Sequence, residues 1–340
     1  MRDGDIAVLR GAQVRALLAG RELEVIEAVR AAYETHGEGD SSLPYSTFLR
    51  FPEQPQDRII ALPAYLGGAC GIAGLKWVAS FPDNLQHGVD RASAVVILNS
   101  TQTGRPEAVL EGSVINAKRT AASAALAARY LVNGNEVGRV GLIGCGLINF
   151  EIARFVKAVF PEVATFVIFD KDAARARQFA DKCQRSFDKV GVETGGDVGA
   201  VLHESPLVSI ATTSAAPYIA DLGGCAPGGT ILHISLRDLT HDVILACDNV
   251  VDDVDHVCRA QTSVHLAEQF VGHRGFIRCT LADILSGRAP ARNGSVSVFS
   301  PFGLGVLDLA VGKLVRDLAL EEGVETVVSS FLPGPWTQEA

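Results

Sequence analysis

The sequence predicts an α/β fold, a doubly wound parallel sheet accompanied by a discontinuous α+β domain. Three observations carry that expectation. Residues 139–252 alternate apolar strand runs with helical runs, residues 45–110 read as successive β segments broken by Pro and Gly, and Gly144 and Gly146 punctuate one strand-to-helix junction.

Taken in order, Ile6 to Leu9 is a short strand, and Glu22 to His36 carries Leu23, Ile26, Val29 and Tyr33 at helical spacing. Tyr45 to Phe51, Arg58 to Tyr65 and Gly74 to Ser80 then read as strands. Ala94 to Asn99 and Pro106 to Leu110 flank the hairpin-like turn Ser100 to Arg105, which makes a mostly antiparallel sheet. Gly112 to Leu131 is an Ala-rich helix suited to close packing, and Asn133 to Glu136 reads as a linker.

The second region places strands at 139–143, 164–169, 207–211, 229–234 and 249–252, with helices at 147–159 and 172–187. Thr280 to Asp283 has the form of a helix start, with Thr as N-cap and an acid three residues on. Val296 to Phe299 is a last strand before an amphipathic helix that runs to about Glu321, and the β-like tail Glu325 to Phe331 returns to the first sheet. The expected domains are 1–130 with 310–340 for substrate binding and dimerisation, and 131–309 for nucleotide binding.

Composition narrows the class. The chain has 340 residues, 48% of them hydrophobic, with 30 basic and 39 acidic residues giving a net charge of −9 and no basic tract. Nucleic acid is therefore not an expected partner, and a small molecule is. No apolar run approaches the roughly 20 residues of a membrane helix, and the N-terminus lacks a signal-peptide pattern, so a cytoplasmic protein is expected. Seven scattered cysteines without a Cys-x-x-Cys pair read as reduced thiols, and eight histidines form no metal-spaced cluster. The run Asp252-Asp253-x-Asp255-His256 reads as a solvated loop rather than a cation site, so no metal is expected.

Val140, Leu142 and Ile143 suit a buried parallel strand, and Gly144 and Gly146 let the chain turn tightly toward a helix that starts near Leu147 and Ile148. Such a turn seats a pyrophosphate at the helix N-terminus. Asp170 ends the next strand 24 residues beyond Gly146, where an acid holds the ribose hydroxyls and disfavours the extra phosphate of NADP. The cofactor expected of this Rossmann-type arrangement is NAD. Asn149 stands where a third glycine is usual, and the competing reading is an ordinary strand-to-helix turn.

Several side chains could carry chemistry. Lys76 lies inside the apolar run Gly74 to Ala79, and on residues alone an edge-strand lysine reaching outward is the favoured reading over a buried anion ligand. Arg119 opens a small-residue helical stretch and is either a carboxylate fork or a surface arginine. Asp238 follows the strand Thr230 to Ser235, at the carboxyl edge of the parallel sheet, and is either a general acid/base or a turn aspartate. Thr212, Thr213 and Ser214 follow another strand and could border a cofactor, while Arg50, Arg58 and Arg91 are further basic residues of the first domain.

Together these segments resemble the ornithine cyclodeaminase/mu-crystallin family from about Ile59 to Asp308, with Lys76 in GLKWV, Arg119 in KRTAAS, Gly144-x-Gly146, Asp238, and Phe302-Gly303 followed by Asp308. The resemblance implies an NAD-dependent homodimeric enzyme. It also implies catalytic roles for Asp238 and Lys76, substrate contacts from Arg50, Arg91 and Arg119, and cofactor contacts from Thr120, Gly144, Gly146, Leu147, Ile148, Asp170, Thr212, Thr213, Ser235 and Gly303. Departures bear on substrate. Ornithine cyclodeaminases carry a glutamate in the segment occupied here by Ile60 to Pro63, and Cys-Pro-Gly-Lys where this chain has Leu239 to Asp242.

DRIIALP, GLKWVASFPDN, RASAVVILN and IGCGLI look instead like the branch that makes 2,3-diaminopropionate for siderophores and peptide antibiotics. The implied reaction is oxidative hydrolysis of N-(2-amino-2-carboxyethyl)-L-glutamate, whose three carboxylates suit Arg50, Lys76, Arg91 and Arg119. The alternatives are an ornithine cyclodeaminase, a ketimine or imino-acid reductase, or a crystallin-like binder without turnover.

Overall fold

The computed structural model describes residues 4–132, 137–226, 228–292 and 294–334. They form two units, residues 1–119 with 304–340 and residues 120–303. The division falls inside the helix Gly112–Leu131, ahead of the boundary expected at 130. The first turn of that helix packs on the first sheet, since a Cβ added at Gly112 would lie 3.1 Å from Ala94. The expected linker Asn133 to Glu136 lies outside the described residues.

In the second unit eight parallel strands lie in the order Gly191–Thr194, Thr165–Phe169, Arg139–Ile143, Leu207–Ile210, Thr230–His233, Ser297–Ser300, Asp248–Val251 and Ile277–Thr280. Leu207–Ile210, Thr230–His233, Asp248–Val251 and Ser297–Ser300 are buried along their whole length, as strands covered on both faces must be. The winding reverses between Arg139–Ile143 and Leu207–Ile210, the switch point where such sheets bind ligands beyond their carboxyl ends.

Elements absent from the sequence reading include the helices Val198–Glu204, His241–Ala246 and Ser263–Val271. Each is short, and each is started by an N-cap side chain, Asp197, Thr240 or Thr262, that accepts a backbone N–H of its first turn. The edge strand Gly191–Thr194 is largely exposed and has no apolar alternation to read. Thr280 and Asp283 do form the expected capping box.

The first unit holds the other eight-stranded sheet, in the order Thr326–Val328, Ile6–Leu9, Pro106–Glu111, Ala92–Ser100, Ile72–Ser80, Gln54–Leu66 and Ser41–Ser42, with Thr47–Phe51 also on Gln54–Leu66. All its pairings are antiparallel except Ile6–Leu9 with Pro106–Glu111. The tail strand Thr326–Val328 returns to this sheet as expected.

The helices Glu22–Gly37 and Gly305–Glu322 pack together, and the latter lies on one face of the sheet. Gly305 permits the close approach, because a Cβ there would sit 3.1 Å from the Leu62 carbonyl oxygen. That helix is buried almost continuously from Gly305 to Gly312, and Asp308 lies within the buried stretch. All seven cysteines are free thiols. Burial pushes the thiols of Cys145, Cys183, Cys247 and Cys258 up to about 12, which keeps them protonated and unreactive. Among the described residues no helix is long and apolar enough to cross a membrane.

Candidate active site

In the second unit, the strand Arg139–Ile143 ends in Gly144, whose N–H donates to the Phe169 carbonyl at 2.8 Å. Gly144 has φ +94°, and a Cβ there would lie 2.4 Å from the Ala211 carbonyl oxygen. Gly146 caps the helix Leu147–Val159 in extended backbone, and a Cβ there would meet nothing within 4 Å. No side chain caps that helix, so its first amides and its positive dipole end face the space that Gly146 leaves open. Leu147 is exposed and Ile148 is half-buried at this end.

Asn149 is wholly buried and takes over the third glycine's place with hydrogen bonds. Its Nδ2 donates to the carbonyls of Ile143 (2.8 Å) and Gly144 (2.7 Å), and its Oδ1 accepts the Ser209 hydroxyl at 2.7 Å. Asp170 accepts N–H bonds from Cys145 (2.8 Å) and Asp172 (2.9 Å), so its carboxylate is aimed back at the turn with lone pairs left for ribose hydroxyls. The cradle, the uncapped helix end and the acid together fit a dinucleotide such as NAD.

Also in this unit, Asp238 is fully buried beyond the strand Thr230–His233. Thr212 donates to its Oδ1, and the Ser235 hydroxyl has both Asp238 Oδ2 and the Ile210 carbonyl within reach. The Asp238 amide donates to His233 Nε2 at 3.2 Å, and the same nitrogen lies 3.4 Å from the carboxylate. Burial alone would push this carboxyl up, but its interactions with His233, Ser235 and Thr212 outweigh that and hold the group below its usual range. The half-exposed Tyr218 belongs to the same cluster, its phenol pushed up by burial and by the Asp238 charge.

In the first unit Lys76 is on a central strand, between Gln54–Leu66 and Ala92–Ser100, and is 2% exposed. The outward edge lysine favoured from sequence is therefore incorrect, because strands pair on both sides and the helix Gly305–Glu322 covers the face. Its Nζ lies 2.7 Å from Asp308 Oδ2, a Coulombic contact, since that oxygen accepts no well-directed hydrogen bond. It also donates to Asn116 Oδ1 at 2.9 Å.

Arg119 is likewise buried and not a surface arginine, donating to Asp308 Oδ1 at 3.1 Å and Asn116 Oδ1 at 2.7 Å. Two cations thus share one carboxylate and one amide. Burial and the neighbouring Arg119 charge lower the Lys76 pKa to about 8. The excess positive charge suits an incoming carboxylate.

The remaining candidates are distributed. Thr120 follows Arg119 on the same helix and Thr213 is exposed after its strand. Arg50 is exposed beside Phe48, its guanidinium 5.4 Å from the ring centroid, and Arg91 is half-buried with Nε donating to Ser80 Oγ at 3.3 Å. Gly303, at φ +95°, donates its N–H to Asp252 at 2.7 Å, and Phe302 donates to the same carboxylate at 2.9 Å. The expected solvated loop is thus incorrect for Asp252, which is 1% exposed and binds backbone. Among the described residues no His, Cys, Asp or Glu cluster could hold a metal ion.

The sequence does not single out Asn116, His233 or Tyr218, and it marks Asp308 only within a motif. For His233 and Asp308 the available signal is a polar residue inside an apolar strand or helix.

A sequence profile of the ornithine cyclodeaminase/mu-crystallin family matches residues 7–323. The chain belongs to that family. Among relatives in the ornithine cyclodeaminase/mu-crystallin family, the N-((2S)-2-amino-2-carboxyethyl)-L-glutamate dehydrogenase of Staphylococcus aureus is 26% identical over 90% of this chain and 93% of its own. The alanine dehydrogenase of Archaeoglobus fulgidus is also 26% identical, over 91% and 94%. The solved Δ(1)-pyrroline-2-carboxylate reductase of Thermococcus litoralis, in complex with NADH and L-proline, superposes with a TM-score of 0.87 at 25% identity, covering 94% of this chain and 99% of that one. Family members of this kind are oxidoreductases of amino-acid derivatives, and they differ in substrate at equal similarity.

Proposed function

We propose that the chain is an NAD-dependent dehydrogenase that converts N-[(2S)-2-amino-2-carboxyethyl]-L-glutamate and water to L-2,3-diaminopropionate and 2-oxoglutarate, yielding NADH and a proton. The observation that carries this reading is the buried pair Lys76 and Arg119 sharing Asp308, with Arg50 and Arg91 on the same unit, which suits a polycarboxylate better than a single-carboxylate amino acid. Ile60 in place of a cyclodeaminase glutamate agrees with it.

NAD would supply the hydride acceptor for the glutamyl α-carbon. Gly144, Gly146 and the first amides of the helix Leu147–Val159 would seat its pyrophosphate, and Asp170 would hold the adenosine ribose. Thr120, Leu147, Ile148, Thr212, Thr213, Ser235 and Gly303 line it. Lys76 and Arg119 grip the α-carboxylate and so orient the reacting C–H bond. Asp238, kept ionised by its donors, takes a proton from the attacking water and returns one to the leaving amine.

The assay is NADH formation and product mass with this secondary amine, run beside L-alanine, L-proline and L-ornithine. Diaminopropionate with 2-oxoglutarate is the expected outcome. Pyruvate from alanine, pyrroline-2-carboxylate from proline, or proline from ornithine, without turnover of the secondary amine, would reassign the substrate. NADH binding with no turnover on any of them would indicate a binding protein.

The active unit in this reading is a homodimer. Leu49, Tyr65, Trp77 and Val95 are all more than a third exposed and share the sheet face opposite Lys76, a patch suited to a second copy of the same sheet.

A further inference from the structure

Arg58 is absorbed by none of these roles, yet its place in the first sheet is informative. It pairs directly with Arg50 on one neighbouring strand and with Ser80 on the other. Directly opposed residues of an antiparallel pair share a face, and faces alternate along a strand, so Arg50, Arg58 and Ser80 lie on the face that carries Lys76. Arg91 reaches the same row, because its Nε donates to Ser80 Oγ at 3.3 Å. Three arginines are therefore grouped at one end of the sheet, Arg50 and Arg58 by strand register and Arg91 through Ser80. Like charges directly opposite each other weaken a ladder, and an anion between them reverses the sign of that interaction.

Between this row and Lys76, the same face presents Ile60 and Val78, which pair with each other and are half-buried. Lys76 and Ser80 are four residues apart, so their backbones are separated by roughly 14 Å at strand rise. Long lysine and arginine side chains shorten that gap toward the length of a small polyanion. The face thus runs from a cationic pair, across an apolar step, to a cationic row.

We propose that Arg58, with Arg91 and Ser80, forms a distal anion subsite that selects substrates bearing a second carboxylate beyond the one held at Lys76 and Arg119. This rests on the reaction proposed above for the identity of the substrate. The chemical class it selects, an amino or keto acid with a terminal carboxylate, follows from the row itself. The subsite excludes chains that end in a methyl group or an ammonium, since neither can accept hydrogen bonds from guanidinium donors.

The test is binding of two product-like probes to the NADH-loaded protein by calorimetry, 2-oxoglutarate against 2-oxopentanoate, which lacks only the distal carboxylate. Wild type is expected to prefer 2-oxoglutarate by about tenfold or more, the scale of one charge-assisted hydrogen-bonded contact. Arg58→Gln should bring the two within about threefold, mainly by weakening 2-oxoglutarate. Arg58→Lys, which keeps the charge without the fork, should fall between, and it guards against misfolding of the first variant.

No preference in wild type, or a preference unchanged in Arg58→Gln, would overturn the subsite. These binding ratios are read without turnover. Loss of the proposed reaction in the NADH assay and loss of the distal subsite are therefore separate results.

Discussion

An alanine at Gly144 would push its Cβ to 2.4 Å from the Ala211 carbonyl oxygen and sit at φ +94°, whereas at Gly146 it would meet open space. The two glycines therefore fail differently. Gly144→Ala should lower stability by about 2–3 kcal/mol, from the strained φ and the backbone clash, read as a drop in denaturation midpoint. Gly146→Ala should leave the midpoint nearly unchanged and weaken NADH binding by about tenfold or more, because the methyl fills the cofactor's space. Equal effects of the two on stability would refute the division.

Lys76 supplies a pH prediction at the same scale. Its pKa is lowered to about 8, so the ammonium proposed to grip a carboxylate is present below that pH and lost above it. KM for carboxylate substrates should rise as pH passes about 8, by up to about tenfold per unit, and a flat KM from neutral pH upward would show that Lys76 does not bind substrate. For folding the sign is opposite. A lysine whose folded pKa is depressed costs stability while both states would otherwise be charged, and that cost is relieved as pH rises from about 8 toward 10.5.

At the scale of elements, the loop that presents Asp238 is held under strain. Leu236 has φ +73°, and the facing Ala260 and Gln261 have φ +52° and +56°, left-handed conformations that none of these side chains favours. A latch holds the two segments together. Ser263 N–H donates to the Leu236 carbonyl at 2.7 Å, and Arg237 donates to the carbonyls of Gln261 at 3.0 Å and Ala260 at 2.5 Å. Strain of this kind persists only where surroundings enforce it, and it fixes the carboxylate next to it.

Arg237→Gln should therefore lower kcat by about tenfold while NADH affinity changes much less, measured by steady-state kinetics beside a cofactor titration. An unchanged kcat would remove the latch from catalysis. None of these left-handed residues is a glycine, which is why no sequence signal announced them. The capping box at Thr280, by contrast, was readable because its two side chains are three residues apart.

For the whole molecule, the exposed face with Trp77 at its centre bears on assembly. If the proposed homodimer forms through this face, Trp77→Asp should shift it toward monomer in sedimentation, since a charge in an apolar interface costs its desolvation. A dimer unaffected by the change would place the interface elsewhere.

The order of amino acids by itself determined the two fold regimes. Period-two apolar runs marked the first sheet, strand and helix alternation marked the second, and Gly144, Gly146 and Asp170 marked the cofactor turn, because each signal lies within a few dozen residues. The tertiary structure alone decided what Lys76 and Arg119 are. Read locally, Lys76 looked like a solvent-facing edge lysine, and Arg119 was as consistent with a surface arginine as with a carboxylate fork. Their burial depends on strands pairing on both sides of Lys76 and on Asp308, which is 189 residues from Arg119 in the chain and is brought to them by the returning helix Gly305–Glu322. A charge is tolerable inside a sheet-and-helix layer only when its partner arrives there too, and that partner was fixed by the fold's long-range closure rather than by any local pattern.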